Sequence, residues 1–360
     1  MRVGQAVVTL GLLVLVWQFA DGADALQVLL SANPWFMLAA LAALTLHTVL
    51  AAERWRLTAD ALGLSLSRGH ALREYYLAQL VNQTVPGGVV GDAGRAVRSR
   101  EQAGLTIAAQ AVIVERFAGQ VAVLATMIIA VAVTTLLPGG LEWPAWMLAL
   151  AATITLVSVA VVAVVAVLLA ARFVSGRFGT RVAELSRTAA IALAGPRLWL
   201  PQLLLSAGTT ASILAAFAFS ALAVGLALPF GAIVALVPLI LLTMLIPITI
   251  SGWGLREGAA AALLQLAGAA VSESLATSVL FGLLGLVAVL PGAVVCGCRR
   301  SQNASNQPER SSPKSESSSR SSAASRAGLS PIAVPGGRPV PGACFSRSAT
   351  SQSGRSSSSA

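Results

Sequence analysis

The chain has 360 residues, of which 56% are hydrophobic and only 11% are charged, and its mean hydropathy is +0.80. Soluble domains carry about 25% charged residues, so this composition excludes an ordinary soluble protein and indicates an integral membrane protein. The net charge of +10 arises largely in the tail, because residues 299–360 carry nine basic and two acidic residues. No folded basic surface with base-reading residues is evident, and we expect no nucleic-acid partner.

Eight apolar segments approach or exceed the roughly 20 helical residues that span a bilayer core. They are residues 3–20, 35–52, 107–137, 146–171, 198–228, 230–250, 259–271 and 275–295. Arginines follow the second, fourth, sixth and eighth segments, and arginine-rich loops remain in the cytoplasm. The sequence therefore predicts an all-α membrane helix bundle of about eight spans with both termini cytoplasmic. A cleaved signal peptide is the alternative for the first segment.

The chain divides into a transmembrane domain, residues 1–298, and a tail, residues 299–360, rich in Ser, Arg and Pro. A tail of this composition cannot bury apolar surface, and it is predicted to be disordered.

Residues 71–90 are too polar for a clean span and break at Pro86. They predict a re-entrant segment that dips from the cytoplasm, with an amphipathic surface helix as the alternative. The pattern of Pro86, Gly91-Asp92 and Arg95 recurs loosely as Pro247, Gly252, Gly254 and Arg256-Glu257, each time between pairs of spans. This recurrence suggests a parallel internal repeat of the kind that builds many transporters.

The first charged motif covers residues 86–95. Asp92 and Arg95 are three residues apart, so a helix that starts near Gly91 would bring them to one face. A guanidinium group suits phosphate, and glycines allow close backbone approach. The alternative is a capped helix start at the surface with a local ion pair.

The second motif, Glu115-Arg116, interrupts an otherwise apolar segment. A charge near a helix centre costs about 2.5–3.5 kcal/mol on insertion, so such residues pair, face a cavity or contact a ligand. Adjacent helical residues do not face each other. Each therefore needs a partner elsewhere, either around a ligand or in an interhelical clamp.

The third motif, residues 252–258, reads Gly-Trp-Gly-Leu-Arg-Glu-Gly and predicts an irregular break followed by a short helix. Glu257 near the helix N-terminus complements the helix dipole, and Arg256 is placed to meet an anion.

Further residues join these motifs in a recognisable order: Arg54-Trp55-Arg56, residues 76–82, and Gly119 after Glu115-Arg116. Together they resemble the lysylphosphatidylglycerol synthase transmembrane region, or flippase-like domain, over residues 1–298. The resemblance implies a polytopic protein of the cell (inner) membrane. In two-domain synthases this region is linked to moving an aminoacylated phospholipid between leaflets, and a separate soluble domain makes that lipid. The 360 residues do not resemble the soluble domain, so lipid synthesis is not expected.

The sequence thus predicts a transporter-like protein that binds a phospholipid or lipid-linked headgroup in a polar cavity and moves it between leaflets, without a cofactor or metal. The residues expected to meet phosphate are Arg95, Arg116 and Arg256. Those expected to orient these arginines, or to meet a cationic headgroup, are Asp92, Glu115 and Glu257. Those expected to allow bending and close approach are Gly87, Gly88, Gly91, Gly252 and Gly254. The alternatives are a membrane-embedded transferase and an accessory subunit of a cell-envelope biosynthetic enzyme.

Overall fold

A computed structural model of the chain describes residues 2–19, 22–85, 88–136, 198–245, 249 and 251–293, with scattered positions between 144 and 195. These residues form α-helices and short 3-10 turns and contain no β-strand, which confirms the all-α prediction for this part of the chain. The predicted disordered tail and most of the predicted span at 146–171 lie outside the described residues.

Ten α-helices are present among the described residues. They are α1 (Arg2–Phe19), α2 (Gly22–Leu30), α3 (Pro34–Ala61), α4 (Arg68–Thr84), α5 (Val90–Arg98), α6 (Arg100–Leu136), α7 (Trp199–Ala223), α8 (Phe230–Leu242), α9 (Leu255–Leu263) and α10 (Val271–Ala288).

Four helices in the described part are long and apolar enough to cross a membrane. They are Pro34–Ala61, Gly104–Leu136, Trp199–Ala223 and Val271–Ala293. Helices α1 and α2 make a fifth only if the 88° bend between them belongs to one broken span. The chain is therefore a multi-pass membrane protein.

Helices α3 and α7 pack as an antiparallel pair at the centre of the bundle. The Asn33 amide donates to the Ala223 carbonyl at 2.7 Å, whereas the Gln202 amide nitrogen donates to the Thr58 hydroxyl at 3.0 Å. Residues early in α3 thus contact residues late in α7, and the reverse holds at the other end. We call the Asn33 end of the bundle the first end and the Thr58 end the second end.

Helices α4 and α5 form a hairpin, the first hairpin, that starts near the second end. The chain turns after Thr84, and the Gly91 amide then donates to the Asn82 side chain at 2.7 Å. The Arg98 guanidinium forms an ion pair with Glu74, so α5 runs back along α4. The Thr48 hydroxyl donates to Gln79 at 3.1 Å, which places the tip of the hairpin near the middle of α3.

Glycine permits the tight packing inside the first hairpin. A Cβ on Gly91 would lie 2.0 Å from the carbonyl oxygen of Ala78. That distance is far shorter than any van der Waals contact, so a side chain here would push α5 away from α4.

Helices α8 and α9 form a second hairpin, which starts near the first end because α8 follows α7 after a short link. Helix α10 then runs antiparallel to α4, since Gln83 lies against Gly285 at 3.5 Å while the Tyr76 carbonyl lies beside Gly292. Helix α10 therefore begins near the first end, and α9 must return there to reach it.

The second hairpin differs from the sixth and seventh predicted segments, 230–250 and 259–271. Helix α8 has 13 residues and α9 has 9, which correspond to about 20 and 14 Å of helix, less than the bilayer core. Gly252 and Gly254 adopt positive φ angles of 78° and 88° between the two helices. These left-handed conformations suit glycine and let the chain reverse.

The two halves of the described bundle contain helices in the same order, but these helices run through the bundle in opposite directions. In each half a long helix (α3 or α7) is followed by a hairpin and then by another spanning helix (α6 or α10). Because α3 and α7 run antiparallel, the repeat is inverted, where the sequence suggested a parallel one. The hairpins consequently enter the bundle from opposite ends.

Replacing Gly91 with alanine should open the first hairpin. Overpacking costs about 1–3 kcal/mol, and we expect the thermal unfolding midpoint in detergent to fall by about 5 °C. Gly69→Ala is the matched control, because a Cβ on Gly69 meets nothing within 4 Å. Equal midpoints for the two variants would contradict the close approach of α5 to α4.

Candidate functional site

A cavity of about 350 Å³ lies at mid-height in the bundle, between the tips of the two hairpins. Two of its lining residues are arginines, Arg116 from α6 and Arg256 from α9. The uncharged polar residues that line it are Thr48, Gln79, Asn82, Gln83, Gln120 and Ser251, and His47 adds an imidazole. The remaining wall is largely apolar.

Glu115 is the buried centre of an ionic cluster beside this cavity. Its carboxylate has no solvent exposure and accepts from Arg54 Nη2 at 2.8 Å, Arg95 Nη2 at 3.2 Å and the Tyr75 hydroxyl at 3.3 Å. These donors come from α3, α5 and α4, while Glu115 belongs to α6. One carboxylate thus ties four helices together.

Asp92 links the same cluster to the cavity. It accepts two hydrogen bonds from Arg116, at 2.9 Å from Nε and 3.0 Å from Nη2, and one from Arg95 Nη2 at 3.1 Å. Asn82 donates to it at 3.0 Å. The Arg116 side chain nevertheless remains 41% exposed and lines the cavity. Asp92 therefore holds a guanidinium group whose other side is open to a ligand.

Arg95 lies behind the cavity wall. Its side chain is fully buried, and its guanidinium lies 4.4 Å from the Trp55 ring centroid and 4.6 Å from that of Tyr75. Its Nε and Nη1 form no hydrogen bond with other described residues. Aromatic faces stabilise a cation in such a position.

Arg256 is held by a second, smaller cluster. Its Nε donates to Glu257 Oε1 and to the Ser278 hydroxyl, both at 3.1 Å, and Trp253 lies 4.9 Å from its guanidinium carbon. Glu257 Oε2 in turn accepts from the Gly254 amide at 2.6 Å. The adjacent residues pair because Glu257 folds back over the first turn of α9.

A glycine on α10 makes room for this second cluster. A Cβ on Gly282 would lie 2.2 Å from Arg256 Nη2. The guanidinium therefore lies directly against the backbone of α10.

The predicted site residues fall into three groups. Those that line the cavity are Arg116, Arg256 and Gly88. Those that are buried in the two clusters beside it are Asp92, Arg95, Glu115 and Glu257. Those that shape the hairpins are Gly91, Gly252 and Gly254, whereas Gly87 lies outside the described residues.

Several residues of the site were not predicted to belong to it. Arg54, Trp55 and Asn82 marked the family resemblance without a predicted role, and Tyr75 and Ser278 were not singled out. The second predicted span ended at residue 52, but α3 continues to Ala61 and keeps Arg54 on its buried face. Buried Thr48, Trp55 and Thr58 follow the same helical spacing, and this periodicity could have identified the longer helix.

A protein-family model described as the lysylphosphatidylglycerol synthase TM region matches residues 3–292. The match covers most of the chain and includes both hairpins and both ionic clusters, and it confirms the resemblance inferred from the motifs. No curated protein matches the chain.

Removing the charge of Glu115 should destabilise the bundle more than an equal change at the surface. Glu115→Gln leaves Arg54 and Arg95 buried with one fewer carboxylate, and breaking a buried pair costs about 3–5 kcal/mol. We expect the thermal unfolding midpoint to fall by about 10 °C.

Glu53→Gln is the control for this change, since Glu53 pairs with Arg56 at 27% side-chain exposure. Partly exposed pairs contribute about 0–1 kcal/mol. A Glu115→Gln midpoint no lower than that of Glu53→Gln would show that Glu115 does not hold the helices together.

Proposed function

The chain belongs to the lysylphosphatidylglycerol synthase transmembrane region family, and we propose that it moves a lipid headgroup between leaflets through the central cavity. Membership and the apolar helices establish a multi-pass membrane protein linked to lipid biosynthesis or transport. The observation that carries the proposal is that Arg116 and Arg256, from opposite halves of the repeat, line one cavity at mid-height.

Arg116 and Arg256 are the residues that bind the phosphate in this proposal. Guanidinium groups bind phosphate through two parallel hydrogen bonds, and these bonds are stronger in a low-dielectric interior. Asp92 and Glu257 pair with these two arginines, which offsets part of the cost of placing guanidinium groups within the membrane. An incoming phosphodiester shares these guanidinium groups with the carboxylates.

The remaining predicted residues do not bind the phosphate in this proposal but position the elements that do. Arg95 and Glu115 fix the first hairpin against α3 and α6, and Gly88 keeps the tip of that hairpin open beside the cavity. The positive φ angles at Gly252 and Gly254 set the direction of Arg256. Hinge-like breaks at the same depth allow each hairpin to move separately.

The opposed hairpins support an alternating-access arrangement. Both termini are cytoplasmic, the first hairpin enters from the cytoplasm and the second enters from the outside. Among the apolar segments, the sixth and seventh form the second hairpin, so neither of them crosses the bilayer. This topology leaves the arginine-rich loops in the cytoplasm. It places Arg256 near the membrane centre, whereas the eight-span prediction placed it in a loop after the sixth segment.

Cysteine labelling tests this topology. In a variant with its three native cysteines (Cys296, Cys298 and Cys344) replaced by serine, we expect a membrane-impermeant maleimide to label Ala270→Cys only from outside the cell. Arg68→Cys should react only after the inner face is exposed. Both positions are exposed and lie at the bases of different hairpins. Labelling of both from the same side would contradict the opposed arrangement.

Lipid movement itself is tested in proteoliposomes that contain fluorescent phosphatidylglycerol, with dithionite quenching as the readout. A hydrogen bond to a charged group contributes about 1.5–3 kcal/mol, so Arg116→Gln and Arg256→Gln should each slow movement at least about tenfold. Arg256→Lys should also be slow, because lysine lacks the planar fork.

Arg68→Gln is the control for the loss of one arginine, since the Arg68 side chain is 83% exposed. Variants are compared only where their unfolding midpoints match the wild type. Wild-type rates in folded Arg116→Gln and Arg256→Gln would overturn the proposal.

A further inference from the structure

The charges around the cavity are unequal, and this imbalance limits which headgroups fit. Among the described residues that line the cavity, the charged ones are Arg116 and Arg256, and none is a carboxylate. In the sequence, the stretches that connect α4 to α5 and α8 to α9 contain no acidic residue. A ligand in the cavity therefore meets cations first.

The ionic clusters behind the wall do not cancel this positive charge. The first cluster contains three arginines, Arg54, Arg95 and Arg116, but only two carboxylates, Asp92 and Glu115. The second cluster pairs one arginine with one carboxylate. The two clusters together thus carry one positive charge that no carboxylate within them matches.

The three carboxylates of the two clusters are each occupied by donors. Asp92 accepts from Asn82, Arg95 and Arg116, and Glu115 accepts from Arg54, Arg95 and Tyr75. Glu257 accepts from Arg256 and from the Gly254 amide. An ammonium group in the cavity would have to displace an arginine from one of these carboxylates.

The uncharged part of the lining has a different chemistry. Gln79, Gln83 and Gln120 are amides, and Ser251 and Thr48 are hydroxyls. Amide and hydroxyl side chains can both donate and accept, as the hydroxyl groups of glycerol or a sugar require. They lie around the same cavity as the two guanidinium groups.

We infer that the cavity selects an anionic phosphodiester lipid whose headgroup is uncharged and rich in hydroxyls, and that it disfavours amine-bearing headgroups. This inference rests on the proposed function for the site but concerns selectivity rather than movement. A phosphodiester supplies the one negative charge that the clusters lack, and the hydroxyls of the headgroup meet the amides. A lysyl ester would instead bring two ammonium groups against a positive wall.

Binding to the purified full chain in detergent tests the inference independently of transport. The probes are short-chain phosphatidylglycerol, phosphatidylethanolamine and lysylphosphatidylglycerol, with glycerol 3-phosphate as the free phosphate, and the readout is the ligand concentration that raises the unfolding midpoint halfway. We expect phosphatidylglycerol to bind at least about tenfold more tightly than lysylphosphatidylglycerol, because like-charge contacts are costly. Stabilisation by glycerol 3-phosphate but by none of the lipids would show that the ligand is a free phosphate and not a lipid.

A single new carboxylate provides a sharper test. Gln120 lines the cavity, so Gln120→Glu should neutralise the excess charge and reduce the preference for phosphatidylglycerol over lysylphosphatidylglycerol by about tenfold or more. Gln265→Glu is the matched control, because Gln265 is exposed and bonds the Ala261 carbonyl of its own turn. This control should keep the wild-type preference.

The outcomes separate the two proposals. Equal binding of phosphatidylglycerol and lysylphosphatidylglycerol, or an unchanged preference in folded Gln120→Glu, would overturn the selectivity while lipid movement could still be observed. Selective binding without any movement in proteoliposomes would overturn the transport proposal and leave the selectivity intact.

Discussion

The rest of the structure depends on one constraint, that guanidinium groups inside an apolar bundle must be paired. Desolvating an ion is costly, and the pairing compensates only when several hydrogen bonds converge. Glu115 meets this demand with donors from three other helices, and Asp92 holds Arg116 through two bonds. The geometry of α3, α4, α5 and α6 is therefore fixed by charge, and the apolar surfaces pack around it.

The inverted repeat explains how charges far apart in the sequence reach the same depth. Each hairpin ends near mid-height and places a basic residue beside an acidic one just after its break, Asp92 and Arg95 in the first and Arg256 and Glu257 in the second. A pair of broken helices facing each other is a recurrent way to place irregular backbone around a polar site, because the cavity satisfies backbone groups that lipid cannot.

The sequence predicted much of this arrangement for a physical reason. A charge in an apolar segment requires a partner, so Glu115 and Arg116 could be expected to meet the other charged motifs, and they meet Arg95 and Asp92. The predicted span stopped short of the end of α3, because an arginine usually ends a span. Arg54 stays inside because it pairs with Glu115 and donates to Thr209, and these tertiary partners cannot be identified from the sequence. The direction of the repeat was also missed, because proline and glycine breaks look alike whether the chain crosses the membrane there or turns back.

The two clusters differ in a way that bears on how the cavity would work. Arg116 is anchored to Asp92 on a hairpin that Glu115 and Arg54 tie to the long helices, whereas Arg256 is anchored to its own neighbour and to Ser278 of α10. The first cluster joins many elements and resists displacement. Among the described residues the second joins α9 and α10, so under the proposed function a ligand that pulls on Arg256 would move a smaller unit. The two halves thus share the order of their helices but differ in their charge networks, and under the proposed function this difference would make the second hairpin the part of the site better suited to move.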